Sequence, residues 1–63
     1  MTYRIDFYAG QRMLATKYAV DSLPDAVRAA REGLLRHNAR FANIFDLNLA
    51  SGPVEMVHRD VLP

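Results

Sequence analysis

Two strand-like segments flank a Gly-Gln pair in the stretch that decides the fold, which reads YRIDFYAGQRMLATKY over residues 3–18. Glycine adopts the positive φ that a type II′ turn needs at its first position, so Gly10-Gln11 predicts a two-residue hairpin loop between strands over 3–9 and 12–20. A slip of one residue would send every side chain to the opposite face. The register that gathers the apolar residues on one face has four pairs: Ala9–Arg12, Phe7–Leu14, Ile5–Thr16 and Tyr3–Tyr18.

The second half of the chain carries a similar pattern around Ser51-Gly52. This dipeptide predicts a second hairpin loop, between strands over 43–49 and 54–60. The register that we predict for this hairpin turns three pairs toward the core: Leu49–Val54, Leu47–Met56 and Phe45–His58.

One helix is predicted between the hairpins. Ser22 is suited to cap its first turn, and Asp25 at the third helical position completes a capping box. Asn38 tolerates the left-handed conformation that ends many helices, and Gly33 permits a close approach to the sheet. Leu35 is an outlier on the polar side. The apolar stripe consists of Leu23, Ala26, Val27, Ala30 and Leu34.

The elements predict one small α+β domain over 1–63 with the order ββαββ. We favour a four-stranded antiparallel sheet in the order 2-1-3-4 with the helix on one face. The order 1-2-3-4, which needs a parallel central pair, is the alternative. The predicted sheet core comprises Tyr3, Ile5, Phe7, Leu14, Tyr18, Val20, Phe45, Leu47, Leu49, Val54 and Met56.

Composition limits the class of protein. The 63 residues include no cysteine, which excludes disulfides and fits a cytoplasmic setting. Eight basic and seven acidic residues give a net charge of +1, which is too balanced to indicate a nucleic-acid or membrane partner by itself. We expect a soluble protein with no membrane association, because the sequence lacks a signal peptide and an apolar run of membrane-spanning length.

A resemblance to a known family rests on three segments of the chain: Tyr3 to Tyr8 with the Gly10 turn, Ser22 to Ala26 with the Ala- and Arg-rich helix, and Ile44 to Arg59. In this order they resemble a family of small uncharacterised bacterial domains. The resemblance implies a bacterial protein with the ββαββ order. It implies no activity, ligand or catalytic residue, and the first hairpin loop is shorter here than that family leads us to expect.

Candidate chemical sites are few. His37 and His58 are predicted to approach one another, but no third ligand is apparent for a metal. Ser22 and Ser51 lack the surroundings of a nucleophile, and Asp6 and Asp46 are predicted on an exposed face without a pocket. We therefore predict no enzyme activity, no cofactor and no metal site.

The arginines along the helix are the next candidate site, as a nucleic-acid surface that would contact phosphates. Asp25 lies three residues before Arg28, and Glu32 lies four before Arg36, which are the spacings of local ion pairs. Arg31 and Arg40 have no such neighbour. A solvated helix face is the favoured interpretation.

The sheet face left uncovered by the helix is the best candidate for a binding surface. Our register places large apolar residues there among charged ones, a mixture typical of surfaces that become dry in a complex. Homodimerisation through this face or an edge strand, or binding of another protein, is the favoured function. The alternative is single-stranded nucleic acid, with Tyr8 stacking on a base. The predicted interaction residues are Arg4, Tyr8, Met13, Lys17, Ile44, Val57 and Arg59, within a face that also carries Asp6, Ala15, Asp46, Asn48 and Glu55.

Overall fold

The architecture is a four-stranded antiparallel sheet with one helix across one face. A computed structural model describes residues 2–19, 22–49 and 52–61. The strand order β2-β1-β3-β4 confirms the favoured prediction. The elements are β1 (Tyr3–Ala9), β2 (Arg12–Ala19), α1 (Leu23–Arg36), β3 (Phe41–Asp46), β4 (Glu55–His58) and the short 3₁₀ helix η1 (Arg59–Val61).

The first hairpin forms at the predicted loop. Gly10 has φ +64°, and Ala9 pairs with Arg12 as expected. Beyond Tyr8 and Met13 the register shifts, so that Phe7 pairs with Ala15 and Leu14 is the extra residue of a β-bulge. The other three predicted pairs are therefore wrong by one residue.

The bulge reverses the faces of β2. Lys17, opposite Ile5, is on the helix side of the sheet, whereas Tyr18, opposite Arg4, is on the other side. Leu14 and Tyr18 are exposed, so their predicted place in the core is wrong. Val20, also predicted in the core, lies outside the described residues.

The helix begins and ends as its sequence predicts. Ser22 is the N-cap, and its Oγ accepts a hydrogen bond from the Asp25 backbone N–H at 3.4 Å. Asn38, the residue after the C-cap His37, adopts the left-handed region with φ +54°. Leu35 is exposed, as its position off the stripe indicates. Within the stripe Ala26, Ala30 and Leu34 are buried, and Leu23 and Val27 are partly buried.

The second hairpin differs from the prediction because β3 ends early. At Asp46 the chain turns: the Asp46 side chain accepts from the Asn48 N–H at 2.9 Å and its carbonyl accepts from the Leu49 N–H at 3.0 Å. Such an Asx turn competes with continued strand pairing. Ser51, half of the predicted loop, lies outside the described residues. The observed pairs are Phe41–His58, Ala42–Val57, Asn43–Met56 and Ile44–Glu55.

This register inverts both strands relative to our prediction. Ile44 and Val57, predicted on the uncovered face, are 0% and 6% exposed and belong to the core. Phe45, predicted in the core, lies on the uncovered face, where the Arg4 guanidinium covers its ring. Met56 also lies on the uncovered face, opposite Asn43. The predicted core residues that are exposed in this hairpin are Leu47, Leu49, Val54 and Met56.

The core between helix and sheet is narrow. Four of its ten buried hydrophobic residues are alanines, and its largest fully buried side chains are Phe7, Ile5, Leu34 and Ile44. Alanines bring α1 close to the sheet, and Gly33 packs directly against the Phe7 ring. Much of the chain's larger apolar area therefore lies outside this core.

Loss of the helix cap should weaken the fold measurably. We expect Ser22→Ala to lower the free energy of unfolding by about 0.5–2 kcal/mol, because the first turn loses the hydroxyl acceptor of the Asp25 N–H. Urea denaturation followed by circular dichroism measures the effect. An unchanged midpoint would contradict the capping role, and Ser22→Asp, which restores an acceptor, should recover most of the loss.

Candidate interaction face of the sheet

The face of the sheet opposite α1, here called the open face, collects most of the aromatic residues. Directly paired residues in antiparallel strands share a face, so the register defines this surface. It carries Met13, Thr16 and Tyr18 from β2, Arg4, Asp6 and Tyr8 from β1, Phe41, Asn43 and Phe45 from β3, and Met56 and His58 from β4.

The residues predicted on the uncovered face lie in five different places. Arg4, Tyr8 and Met13 lie together on the open face, with Asp6. Lys17 lies on the helix side, and Arg59 lies in η1, where its guanidinium donates to the Asn38 Oδ1. The others are in the core (Ile44 and Val57), on the helix side (Ala15 and Glu55) or in the turn that ends β3 (Asp46 and Asn48).

A row of rings crosses the open face at one end. Tyr8 stacks on Phe41 with ring centroids 5.1 Å apart and an interplanar angle of 8°. His58 lies on the other side of Phe41 at 5.8 Å. Because Tyr8 and Phe41 stack in parallel across neighbouring strands, their faces are turned toward each other and their ring edges toward solvent. We call this row, completed by Met13 opposite Tyr8, the aromatic ridge.

A second row lies four residues further along the strands. The Arg4 guanidinium carbon is 4.5 Å from the centre of the Phe45 ring, within the range of a cation–π contact. Tyr18 continues the row onto β2 and is largely exposed. Arg4, Phe45 and Tyr18 form the second ridge.

Short polar side chains separate the two ridges. Asp6, only 6% exposed, accepts a hydrogen bond from the Thr16 hydroxyl at 3.0 Å. Its other oxygen lies 3.4 Å from the Arg4 Nε. Asn43 lies opposite Asp6 on β3, and Met56 ends the row on β4. This row is the trough. Between β1 and β2 it forms an open concavity of about 520 Å³.

Two polar atoms near the trough are incompletely paired. The Arg4 Nε and the Asn43 Oδ1 are buried without a hydrogen-bond partner. Buried polar groups are usually paired in native proteins, and an unpaired one lowers stability. Hydrogen bonding in the middle of the open face is therefore incomplete at these two atoms.

The charges of the open face nearly cancel. Arg4 and Asp6 form an ion pair with each other. Among the described residues of this face, only His58 adds a further basic side chain. A second surface with a similar balance therefore meets no strong repulsion.

The predicted catalytic and metal candidates lie apart. His37 contacts the Phe7 ring on the helix side at 5.2 Å, while His58 is on the open face, so our expectation that His58 faces inward is wrong. Asp46 is occupied by the turn at the end of β3 and does not face Asp6. Within residues 2–19, 22–49 and 52–61, no group of three or more His, Cys, Asp or Glu side chains is placed to hold a metal ion.

A second concavity of about 420 Å³ lies between α1 and β4. It is lined by Leu23, Pro24, Val27, Arg28, Arg31 and Glu55. Arg28 pairs with Asp25 at 3.6 Å, as the helical spacing predicts. Since one wall carries arginine and the opposite strand carries glutamate, this groove selects no ligand of one charge.

Comparisons with family models, curated proteins and solved structures give no match to this chain. In the described part of the chain, no helix has the length and apolar character needed to cross a membrane.

None of the open-face residues on β3 and β4 is among those predicted for this face. Phe41 lay outside the predicted strand, and Phe45 and Met56 were assigned to the core. The signal that identifies them is Asp46-Leu47-Asn48, because Asp and Asn side chains two residues apart favour a turn. A strand that ends at Asp46 gives the observed faces.

Proposed function

We propose that this protein is a homodimerising module whose open face packs against the open face of a second copy, and that it acts in the cytoplasm. The observation that carries the proposal is the division of apolar residues between the two faces. Four of the ten buried hydrophobic residues between helix and sheet are alanines, whereas Tyr8, Phe41 and Phe45 lie on the open face with Met13 and Met56. A small domain gains stability by covering such a surface.

The area of the face suits this partner. The Cα atoms extend 28 × 23 × 16 Å. The two longer extents give a footprint comparable with the roughly 800 Å² that each partner buries in a standard protein interface. Because the Arg4–Asp6 pair nearly neutralises the face, two copies meet without a large charge penalty.

The same geometry argues against single-stranded nucleic acid. Base stacking needs exposed ring faces, but Tyr8 and His58 cover the two faces of Phe41, and Arg4 covers one face of Phe45. Tyr18, at the edge strand β2, is the one largely exposed phenylalanine or tyrosine ring among the described residues of this face. Phosphate binding needs free cations, yet Arg4 is engaged by Asp6. Ring edges and methionines suit an apolar protein contact better.

A substitution by lysine on the open face distinguishes a second copy of the chain from single-stranded nucleic acid as the partner. Met56 is 45% exposed, so Met56→Lys should leave the fold intact. In a dimer the ammonium group loses water without a partner, and we expect the dimer dissociation constant to rise at least about 100-fold. Sedimentation equilibrium from micromolar to millimolar concentration measures it. Nucleic-acid binding predicts the opposite sign, because an added cation strengthens phosphate contacts.

Leu35→Lys is the matched control. Leu35 is 62% exposed on the outer side of α1, away from the open face, so this variant should dimerise like the wild type. A wild-type protein that stays monomeric at millimolar concentration would overturn the proposal. Salt-sensitive binding of an oligo(dT) or oligo(U) probe that Met56→Lys strengthens would replace it with nucleic-acid binding.

A further inference from the structure

Resting on the proposed homodimer, we infer that the aromatic ridge of each copy lies in the trough of the other, about a two-fold axis that runs across the strands. The aromatic ridge and the trough are neighbouring rows of the open face. Tyr8 and Asp6 are two residues apart on β1, and Phe41 and Asn43 are two apart on β3. This spacing corresponds to about 7 Å along a strand.

The ridges and the trough restrict the symmetry. A two-fold axis parallel to the strands sets every row against the same row of the partner, so the aromatic ridge meets the partner's aromatic ridge. An axis across the strands, midway between the two rows, exchanges them. Only the second arrangement lets each copy fill the recess of the other, as interdigitating sheets do.

This arrangement gives the trough a partner of suitable chemistry. With the axis across the strands, β1 faces the β1 of the second copy, and the end of Tyr8 reaches toward the partner's Asp6. A tyrosine hydroxyl is a hydrogen-bond donor, and a carboxylate at the bottom of a recess is an acceptor. Because Asp6 is recessed and short, the trough has room for a long side chain.

Removal of one hydroxyl tests this contact. We expect Tyr8→Phe to raise the dimer dissociation constant about tenfold or more, since hydrogen bonds to charged groups are the stronger ones and the symmetric dimer loses two of them. Tyr18→Phe is the matched control: it removes the same group from the second ridge and should leave the dissociation constant unchanged. Both substitutions keep the ring, so sedimentation equilibrium compares folded proteins.

Cysteine crosslinking tests the axis, and the chain has no cysteine of its own. Met13 of one copy faces the trough of the other at the partner's Thr16. Mixed Met13→Cys and Thr16→Cys proteins should therefore be joined by a short bis-maleimide, because packed sheets lie about 10 Å apart. Mixed Thr16→Cys and Met56→Cys proteins should not, since β2 and β4 are separated by a further three strand spacings.

The outcomes separate this inference from the proposed function. A dimer that loses affinity in Met56→Lys but not in Tyr8→Phe, and that crosslinks Thr16→Cys to Met56→Cys, would keep homodimerisation and overturn the arrangement. Crosslinking of Met13→Cys to Thr16→Cys together with the Tyr8→Phe effect supports it. A monomeric wild type overturns both.

Discussion

Phe7→Ala should unfold most of the protein at room temperature. Phe7 is fully buried at the centre of β1, and its ring contacts Gly33 and His37. Truncation of a buried phenylalanine costs about 3–5 kcal/mol. A domain of this size is stable by only a few kcal/mol, so little folded protein should remain. Leu34→Ala, which removes the largest buried side chain of α1, should cost about 2–5 kcal/mol.

Phe45→Ala is the control for this prediction. It removes the same ring from the open face, where Phe45 is half-buried beneath Arg4. In dilute solution, with no second copy present, we expect a loss near 1 kcal/mol. Urea denaturation of both variants compares the two faces. An equal loss in the free energy of unfolding for Phe45→Ala and Phe7→Ala would contradict the assignment of Phe7 to the covered face and of Phe45 to the open face.

The sequence predicts the parts of the fold whose signals agree with one another. Residues 3–7 alternate apolar and polar side chains, and Ser22, the apolar stripe and Asn38 mark the helix at both ends. The strand order follows from the short connections and the antiparallel pairing. Local rules therefore fix β1, α1 and the topology.

Two local features account for the errors. Leu14 is an extra residue in β2, and no residue type in that segment requires a bulge, so the alternation appears regular. In β3 the strongest alternation belongs to Phe41 and Phe45, which face away from the helix, while the core positions are the smaller Ala42 and the branched Ile44. A sheet with apolar residues on both faces has no single hydrophobic face from which register is deduced.

The two register errors determine which residues of the open face could be predicted from the sequence. Arg4 and Tyr8 on β1 and Met13 on β2 lie on the open face as predicted, because the hairpin loop fixes the register near Gly10. On β3 and β4 the inverted faces replaced Phe41 and Met56 with the buried Ile44 and Val57. The contacts that shape the ridges, such as the stacking of Tyr8 on Phe41, depend on tertiary placement and are invisible in the sequence.

Gly33→Ala should destabilise the protein even though alanine is the better helix former. The substitution favours the helix by about 1 kcal/mol. However, the added Cβ would overlap the Cζ and Cε1 atoms of the Phe7 ring. That ring is fully buried. Overpacking of a core costs about 1–3 kcal/mol, and more when neighbours cannot shift. After the helix gain of about 1 kcal/mol is subtracted, we expect a net loss in the free energy of unfolding of up to about 2 kcal/mol.

A double variant shows whether this contact is the cause. Phe7→Leu shortens the side chain that faces Gly33, so Gly33→Ala should cost much less in the Phe7→Leu background than in the wild type. Gly52→Ala is the matched control, because its added Cβ meets no atom within 4 Å, and it should change stability by less than about 0.5 kcal/mol. Equal losses in the two backgrounds would mean that the glycine is not required by the ring. A strong coupling between the two substitutions would show that the lack of a side chain at Gly33 allows α1 to lie close to β1. This close packing gives the narrow core, which leaves the larger aromatic residues on the open face.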